Sequence, residues 1–196
     1  MVQTPTKSIT LEEFLHLPET EPGSEYINGE IIQKTLPQGE HSILQTELAS
    51  AINLAIKPHK LGRAFSELRC NYPTGSRSSV YGGYSIIPDV SVFRSSRIPR
   101  QENGRVANIF NLAPDWSIEI LSPNQSQTKV TKNILHCLNH GTQMGWLIDP
   151  QEQSVFVYLP DQPIRVYDQP NSKLPVPEFA QDFGITVESL FAWLLD

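Results

Sequence analysis

Three consecutive segments constrain the fold most. Trp116-Ser117-Ile118-Glu119-Ile120-Leu121 is a largely apolar, β-prone run stopped by Ser122-Pro123. Residues 125–140 then place Val130, Ile134, Cys137 and Leu138 on one helical face and end at Gly141, after which Trp146-Leu147-Ile148-Asp149 is β-prone again. A strand, a helix and a strand in this order predict one right-handed crossover within a sheet.

The flanking chain fills in the rest. Ser8 to Leu15 predicts a short helix with Thr10 as cap, Glu13 closing a capping box and Pro18 beyond its end. Tyr26 to Ile32 predicts a hairpin turning at Asn28-Gly29. Residues 40–56 predict the first long helix, with Leu44, Leu48, Ile52 and Ala55 on its stripe and Pro58 and Gly62 ending it. Residues 63–72 and 86–93 read as strands around a breaker-rich loop from Pro73 to Gly83, and 95–113 as irregular. Val155 to Tyr158 and Ile164 to Tyr167 read as further strands, and 186–195 as a closing helix. The order predicts an α/β fold, an α+β mixed sheet flanked by helices, in a single domain over 1–196 with its core at about 25–160.

The length suits one domain with a real core. No apolar stretch approaches the roughly 18 residues of a membrane span. Met1 to Pro5 has no apolar core like that of a signal peptide, so a cytoplasmic location is expected. Cys70 and Cys137 have no CxxC partner and read as buried small hydrophobes. The net charge of -6 is unevenly placed: residues 1–56 and 106–196 are each acidic by six, and 57–105 are basic by six. That basic third, from Lys57 and Lys60 through Arg63, Arg69 and Arg77 to Arg94, Arg97, Arg100 and Arg105, reads either as a docking face for a polyanion or as solvated surface.

Two carboxylates stand inside β-prone runs, Asp89 in Pro88-Asp89-Val90-Ser91-Val92-Phe93 and Glu119 in Ile118-Glu119-Ile120. Asp is disfavoured in strands, and ionised groups are costly to bury unpaired. On neighbouring strands the two would converge. At about 4 Å and an effective dielectric near 20 their repulsion is on the order of 4 kcal/mol. A hard cation such as Mg²⁺ turns that into attraction and can generate hydroxide against a phosphate. Strand-end turns and salt bridges are the competing roles. Asp115 shares the face of Glu119 but lies about 13 Å away along the strand, and Pro114-Asp115 reads as a strand-entry turn.

Together these segments resemble the PD-(D/E)xK nuclease superfamily and, more closely, the Uma-two family of restriction-endonuclease-like proteins. The stretches that carry the resemblance are Tyr26 to Glu30, the helix start at His41, Pro88 to Val92, Pro114 to Pro123, and Gly145-Trp146-Leu147-Ile148-Asp149-Pro150. The resemblance implies a restriction-endonuclease-like fold, with Asp89 and Glu119 matching the metal-binding carboxylates and the Ile120 carbonyl as an extra ligand. It implies Mg²⁺ or Mn²⁺ as cofactor and nucleic acid, DNA before RNA, as substrate. Two-strand cleavage often needs two sites, which makes a homodimer one expected assembly. The superfamily's usual lysine position is Leu121 here. The family tends to carry the lysine on the next helix, where the ungapped count reaches Asn133. Helical placement favours Lys129, flanking the apolar face, with Lys132 second.

Three further residues have two readings each. His41 could bind metal or shuttle protons, or be a hydrogen-bonded packing residue. Glu47 and Glu30 could join the metal site, or be a solvated helix residue and a hairpin surface residue. His136 and His140 have metal-competent i, i+4 spacing but lie off the apolar face and read as exposed. The chain holds no GxSxG, P-loop or GxGxxG motif. A metal-dependent phosphodiesterase is the first expectation. A non-catalytic nucleic-acid- or protein-binding module of the same fold is the second, and a hydrolase for another small phosphate ester the third.

Overall fold

The computed structural model describes residues 9–72, 83–123 and 125–195, so Arg77 and all of the Pro73–Gly83 loop except Gly83 lie outside the described residues. Thr10 caps α1 (Leu11–Leu15) in the expected capping box: its hydroxyl accepts the Glu13 N–H, and the Glu13 carboxylate accepts the Thr10 N–H. Asn28 and Gly29, with φ of 47° and 94°, turn β1 (Ser24–Ile27) into β2 (Glu30–Gln33). The first long helix, α2, spans Gly39–Ile56.

Residues 63–72 and 86–93 do not form one strand each. The first breaks into β3 (Gly62–Ser66) and β4 (Cys70–Tyr72), with Glu67 at a φ of 48° between them. The second breaks into β5 (Tyr84–Ile86) and β6 (Val90–Arg94), parted by Ile87-Pro88-Asp89, where Pro88 has no N–H for a ladder. Each break carries the chain from one sheet to another. The described strands therefore make two sheets where one was expected. A four-stranded sheet has the order β2-β1-β5-β4. A six-stranded sheet begins with β3, β6 and β7 (Trp116–Ile120) and continues, beyond α3 (Gln127–Asn139), with β8 (Met144–Asp149), β9 (Ser154–Tyr158) and β10 (Arg165–Tyr167). β7 and β8 are parallel and joined by α3, as the strand–helix–strand order predicts, while β6 runs antiparallel to β7. The closing helix α4 (Val187–Ala192), capped by the Thr186 hydroxyl, is shorter than the expected 186–195.

Side-chain alternation in the six-stranded sheet builds two cores. Val90, Val92, Trp116, Ile118, Trp146 and Ile148 meet Leu44, Leu48, Ile52 and Ile56 of α2. On the other face Leu147 and Tyr158 meet Val130 and Ile134 of α3. Where the two sheets come together, Cys70, Tyr72, Ile86, Phe93, Phe110 and Cys137 form a third cluster.

The approach of α3 to β8 depends on Gly145, because a Cβ there would overlap Ile134 Cγ2. Gly145→Ala is expected to lower unfolding stability in urea by about 1–3 kcal/mol, since the helix has to move off the strand. An unchanged transition midpoint would show that α3 has slack at this position.

Candidate active site

The chain reaches Asp89 as it passes between the sheets. The β6–β7 ladder pairs Val90 with Ile118 and Ser91 with Ser117. Continued by one residue, this register sets Asp89 across from Glu119 on the same face, a relation in which Cβ atoms lie about 4.5–5.5 Å apart. Both side chains are buried, with 2% and 6% exposure. Asp89 Oδ2 accepts the Ile120 N–H at 2.8 Å. Its Oδ1 accepts Lys34 Nζ at 2.7 Å and lies 3.4 Å from His41 Nε2. Gln45 of α2 donates to the Asp89 carbonyl at 2.9 Å.

A third carboxylate completes the cluster. Glu25 of β1 accepts the Ile87 N–H at 2.8 Å and Asn133 Nδ2 at 3.3 Å, while the Ile87 carbonyl accepts Lys34 Nζ at 2.7 Å. Glu25, Asp89 and Glu119 all act electrostatically on this one ammonium. One ammonium cannot balance three ionised carboxyls.

The ionisation of the cluster follows from that imbalance. Burial pushes the Glu119 carboxyl well up, the charge of Asp89 pushes it further, and Lys34 opposes only in part. Burial raises Glu25 as well, against the Ile87 N–H and Lys34. Burial also works against ionised Asp89, but Lys34 and His41 outweigh it and hold that carboxyl below its ordinary value. Burial would lower Lys34, yet Asp89 and Glu119 prevail and keep it a cation. A proton entering the Asp89–Glu119 pair therefore belongs on Glu119.

The lysine at Asp89 is not one of those expected from the second long helix. Lys129 and Lys132 are exposed on α3, and neither hydrogen-bonds or ion-pairs with a carboxylate among the described residues. The helix buries Val130, Ile134 and Cys137, and the residue it extends toward the cluster is Asn133. Ile120 meets Asp89 through its N–H. His41 is buried, with Nδ1 3.1 Å from Ser122 Oγ. Glu47 and Glu30 are exposed.

Asp115 does more than open a strand. It is fully buried, pairs with Arg94 Nε and Arg97 at 2.9 Å each, and accepts the Arg94 N–H. Arg69 is likewise engaged, by Glu19, the Ser24 carbonyl and Ser85, so three of the basic residues at 57–105 serve internal contacts. His140 is exposed as expected, but His136 is half-buried, stacked on Tyr84 at 3.5 Å, and pushed down to about 4 by burial and by His140. Cys70 and Cys137 are buried free thiols, each pushed up to about 12 by burial.

Lys34, Glu25 and Gln45 were not singled out from the sequence, whereas Asn133 is the position that the ungapped count reached and Ser122 closes the strand-end motif. Glu25 carried a usable signal, a carboxylate opening a β-prone run, which is the pattern that marked Asp89. Lys34 carried none, because it follows its strand into a polar connection.

A mixed sheet bearing a Pro-Asp and, on the adjoining strand, a Glu of the same face defines a restriction-endonuclease-like protein. The chain belongs to the Uma2 family, described as "Putative restriction endonuclease", whose family model matches residues 11–188. It is similar to a crystal structure described as a putative nuclease belonging to DUF820 from Anabaena variabilis ATCC 29413, with 61% identity and a TM-score of 0.89, covering 95% of this chain and 99% of that one. No curated protein matches the chain. Among the described residues, no helix is long and apolar enough to cross a membrane.

Glu119 and Asp89 give pH dependences of opposite sign. Unfolded, Glu119 ionises near its ordinary 4.5; folded, it ionises only at higher pH, so its contribution to stability is lost as pH rises through that interval. Asp89 instead loses its contribution as pH falls below its ordinary 3.8. Glu119→Gln is expected to raise the melting temperature of the metal-free protein at about pH 8 by roughly 3 °C or more and to flatten its decline from about pH 5 upward. A variant that melts below wild type at that pH would mean that ionised Glu119 stabilises the fold.

Proposed function

We propose that this protein hydrolyses phosphodiester bonds in nucleic acid, DNA in the first place, with Asp89 and Glu119 holding a divalent cation. One observation carries the reading: the buried carboxylates Asp89 and Glu119 stand at adjoining strands, Lys34 pairs with Asp89 alone among the described residues, and a divalent ion would supply the charge that keeps Glu119 ionised beside it. The donor chemistry fits Mg²⁺ or Mn²⁺, which take hard oxygen ligands. Among the described residues no three His, Cys, Asp or Glu side chains form a ready-made ligand set. Mg²⁺ is commonly held by one or two carboxylates and keeps several waters. Asp89 and Glu119 would be its two carboxylate ligands, with the Ile120 carbonyl a third oxygen. When bound, the ion would supply Lewis acidity and a water acidic enough to act as nucleophile near neutral pH.

The chain's own residues prepare that site. The Ile120 N–H and Gln45 fix the orientation of Asp89 from side chain and backbone. His41 and Ser122 sit where the cluster borders a cleft of about 420 Å³ that Gln38, Gln125 and Pro150 also line. The family description and the nuclease named in the related crystal structure support phosphodiester hydrolysis as the reaction class. A second reading, a module of the same fold that binds without cleaving, is favoured by one observation: both carboxylate oxygens of Asp89 already have protein partners.

Asp89→Ala and Glu119→Ala are each expected to lower Mg²⁺-dependent DNA cleavage by at least about 100-fold. Calorimetric titration of wild type with Mg²⁺ or Mn²⁺ is expected to show binding that Asp89→Ala removes. Wild-type cleavage in both variants would take these residues out of the reaction. A folded wild type that binds neither metal would leave the non-cleaving module.

A further inference from the structure

Phosphodiester hydrolysis builds negative charge on the phosphate, which a nearby cation stabilises, and the exposed Lys129 and Lys132 of α3 make no hydrogen bond or ion pair with the carboxylates among the described residues. We propose that Lys34, delivered by the outgoing strand of the β1–β2 hairpin, is the catalytic lysine of this site. The assignment rests on the nuclease reading above.

The hairpin register builds the position. Ser24 pairs with Gln33, and the Lys34 N–H donates to the Gly23 carbonyl at 2.9 Å, so the ladder extends one residue beyond β2. Glu25 pairs with Ile32, which puts Lys34 and Glu25 on the same face two residues apart in register. Opposite Lys34 stands Gly23, where a Cβ would press on Ile87 Cδ1. A small residue there lets the hairpin close on the Ile87-Pro88-Asp89 crossover.

The ammonium is held by the two ends of that crossover, the Ile87 carbonyl and Asp89 Oδ1, each at 2.7 Å. These contacts use two of its three N–H groups. The side chain is only 16% exposed, and it lines a second cleft, of about 460 Å³, with Thr35, Pro37, Glu67 and Arg69. Lys34 thus joins this cleft to Asp89, and a phosphodiester entering there would meet the ammonium. With Nζ donating to the Ile87 carbonyl and to Asp89 Oδ1, Lys34 is placed to act as a donor.

In the reaction, a water oxygen forms a new bond to phosphorus as the ester P–O bond to the leaving sugar oxygen breaks. One water proton passes to solvent and the leaving oxygen takes one up, giving a phosphate monoester and an alcohol. Lys34 keeps its protons throughout, and its N–H stabilises the negative charge that builds on a non-bridging oxygen.

The test uses the purified full chain, an end-labelled DNA duplex with Mg²⁺, and a separate calorimetric titration with Mg²⁺ alone. Lys34→Met is expected to lower kcat by about 100-fold or more with KM within about threefold. It is also expected to bind Mg²⁺ at least about tenfold more tightly, because the ammonium no longer competes for Asp89. Added methylammonium should restore part of the rate lost in Lys34→Ala. Lys34→Arg, which keeps a cation on Asp89, should fold as wild type and still lose kcat, since a guanidinium fork does not replace a point charge in this space. Lys129→Met and Lys132→Met should cleave within about twofold of wild type. Wild-type kcat in Lys34→Met beside an active wild type would overturn the Lys34 assignment alone. So would a rate loss matched by lost Mg²⁺ binding, with no response to methylammonium, which would leave Lys34 as a support for Asp89. A wild type that neither cleaves nor binds Mg²⁺ would remove the nuclease reading and Lys34 with it.

Discussion

The ion pair of Lys34 with Asp89 is the contact on which the rest of the site depends. An ionised carboxylate at 2% exposure is stable only when its charge is met and its lone pairs are occupied. Here the charge is met by Lys34 and the second oxygen by the Ile120 N–H. Three elements distant in sequence must arrive together for this: the hairpin that brings Lys34, the crossover that brings Asp89, and the strand that brings Ile120. Glu119, with the lysine already committed to its neighbour, is left as the buried group least able to hold its charge.

The two ends of the β6–β7 pair treat their carboxylates differently. Asp115 has two guanidinium groups and a backbone N–H, a surplus of donors that fixes its ionised form. At the other end, three carboxylates share one lysine. An undercompensated cluster of this kind destabilises the metal-free fold and is a candidate site for chemistry.

Much of the fold was legible before any coordinates. The capping box of α1, the Asn28-Gly29 turn and the β7–α3–β8 unit are local patterns, set by hydrogen-bonding options and side-chain periodicity within a few residues. The division into two sheets was not. Residues 63–72 and 86–93 alternate like continuous strands, and only the packing of one sheet against the other shows that Glu67 and Pro88 mark crossings. His136 was misplaced for a related reason. It lies off the apolar stripe of its helix, as read, but Tyr84 from the other sheet covers it.

The amino-acid sequence alone determined most element types, the parallel unit at the sheet centre, and two carboxylates set in β-prone runs. These follow from spacing along the chain, which a linear pattern records. Which cation stands against them was decided only in three dimensions. Lys34 is 55 residues from Asp89, and Glu25 is 108 from Asn133. No local propensity encodes either meeting. They result from a hairpin register extended by one pair and from the closing of one sheet over the end of another.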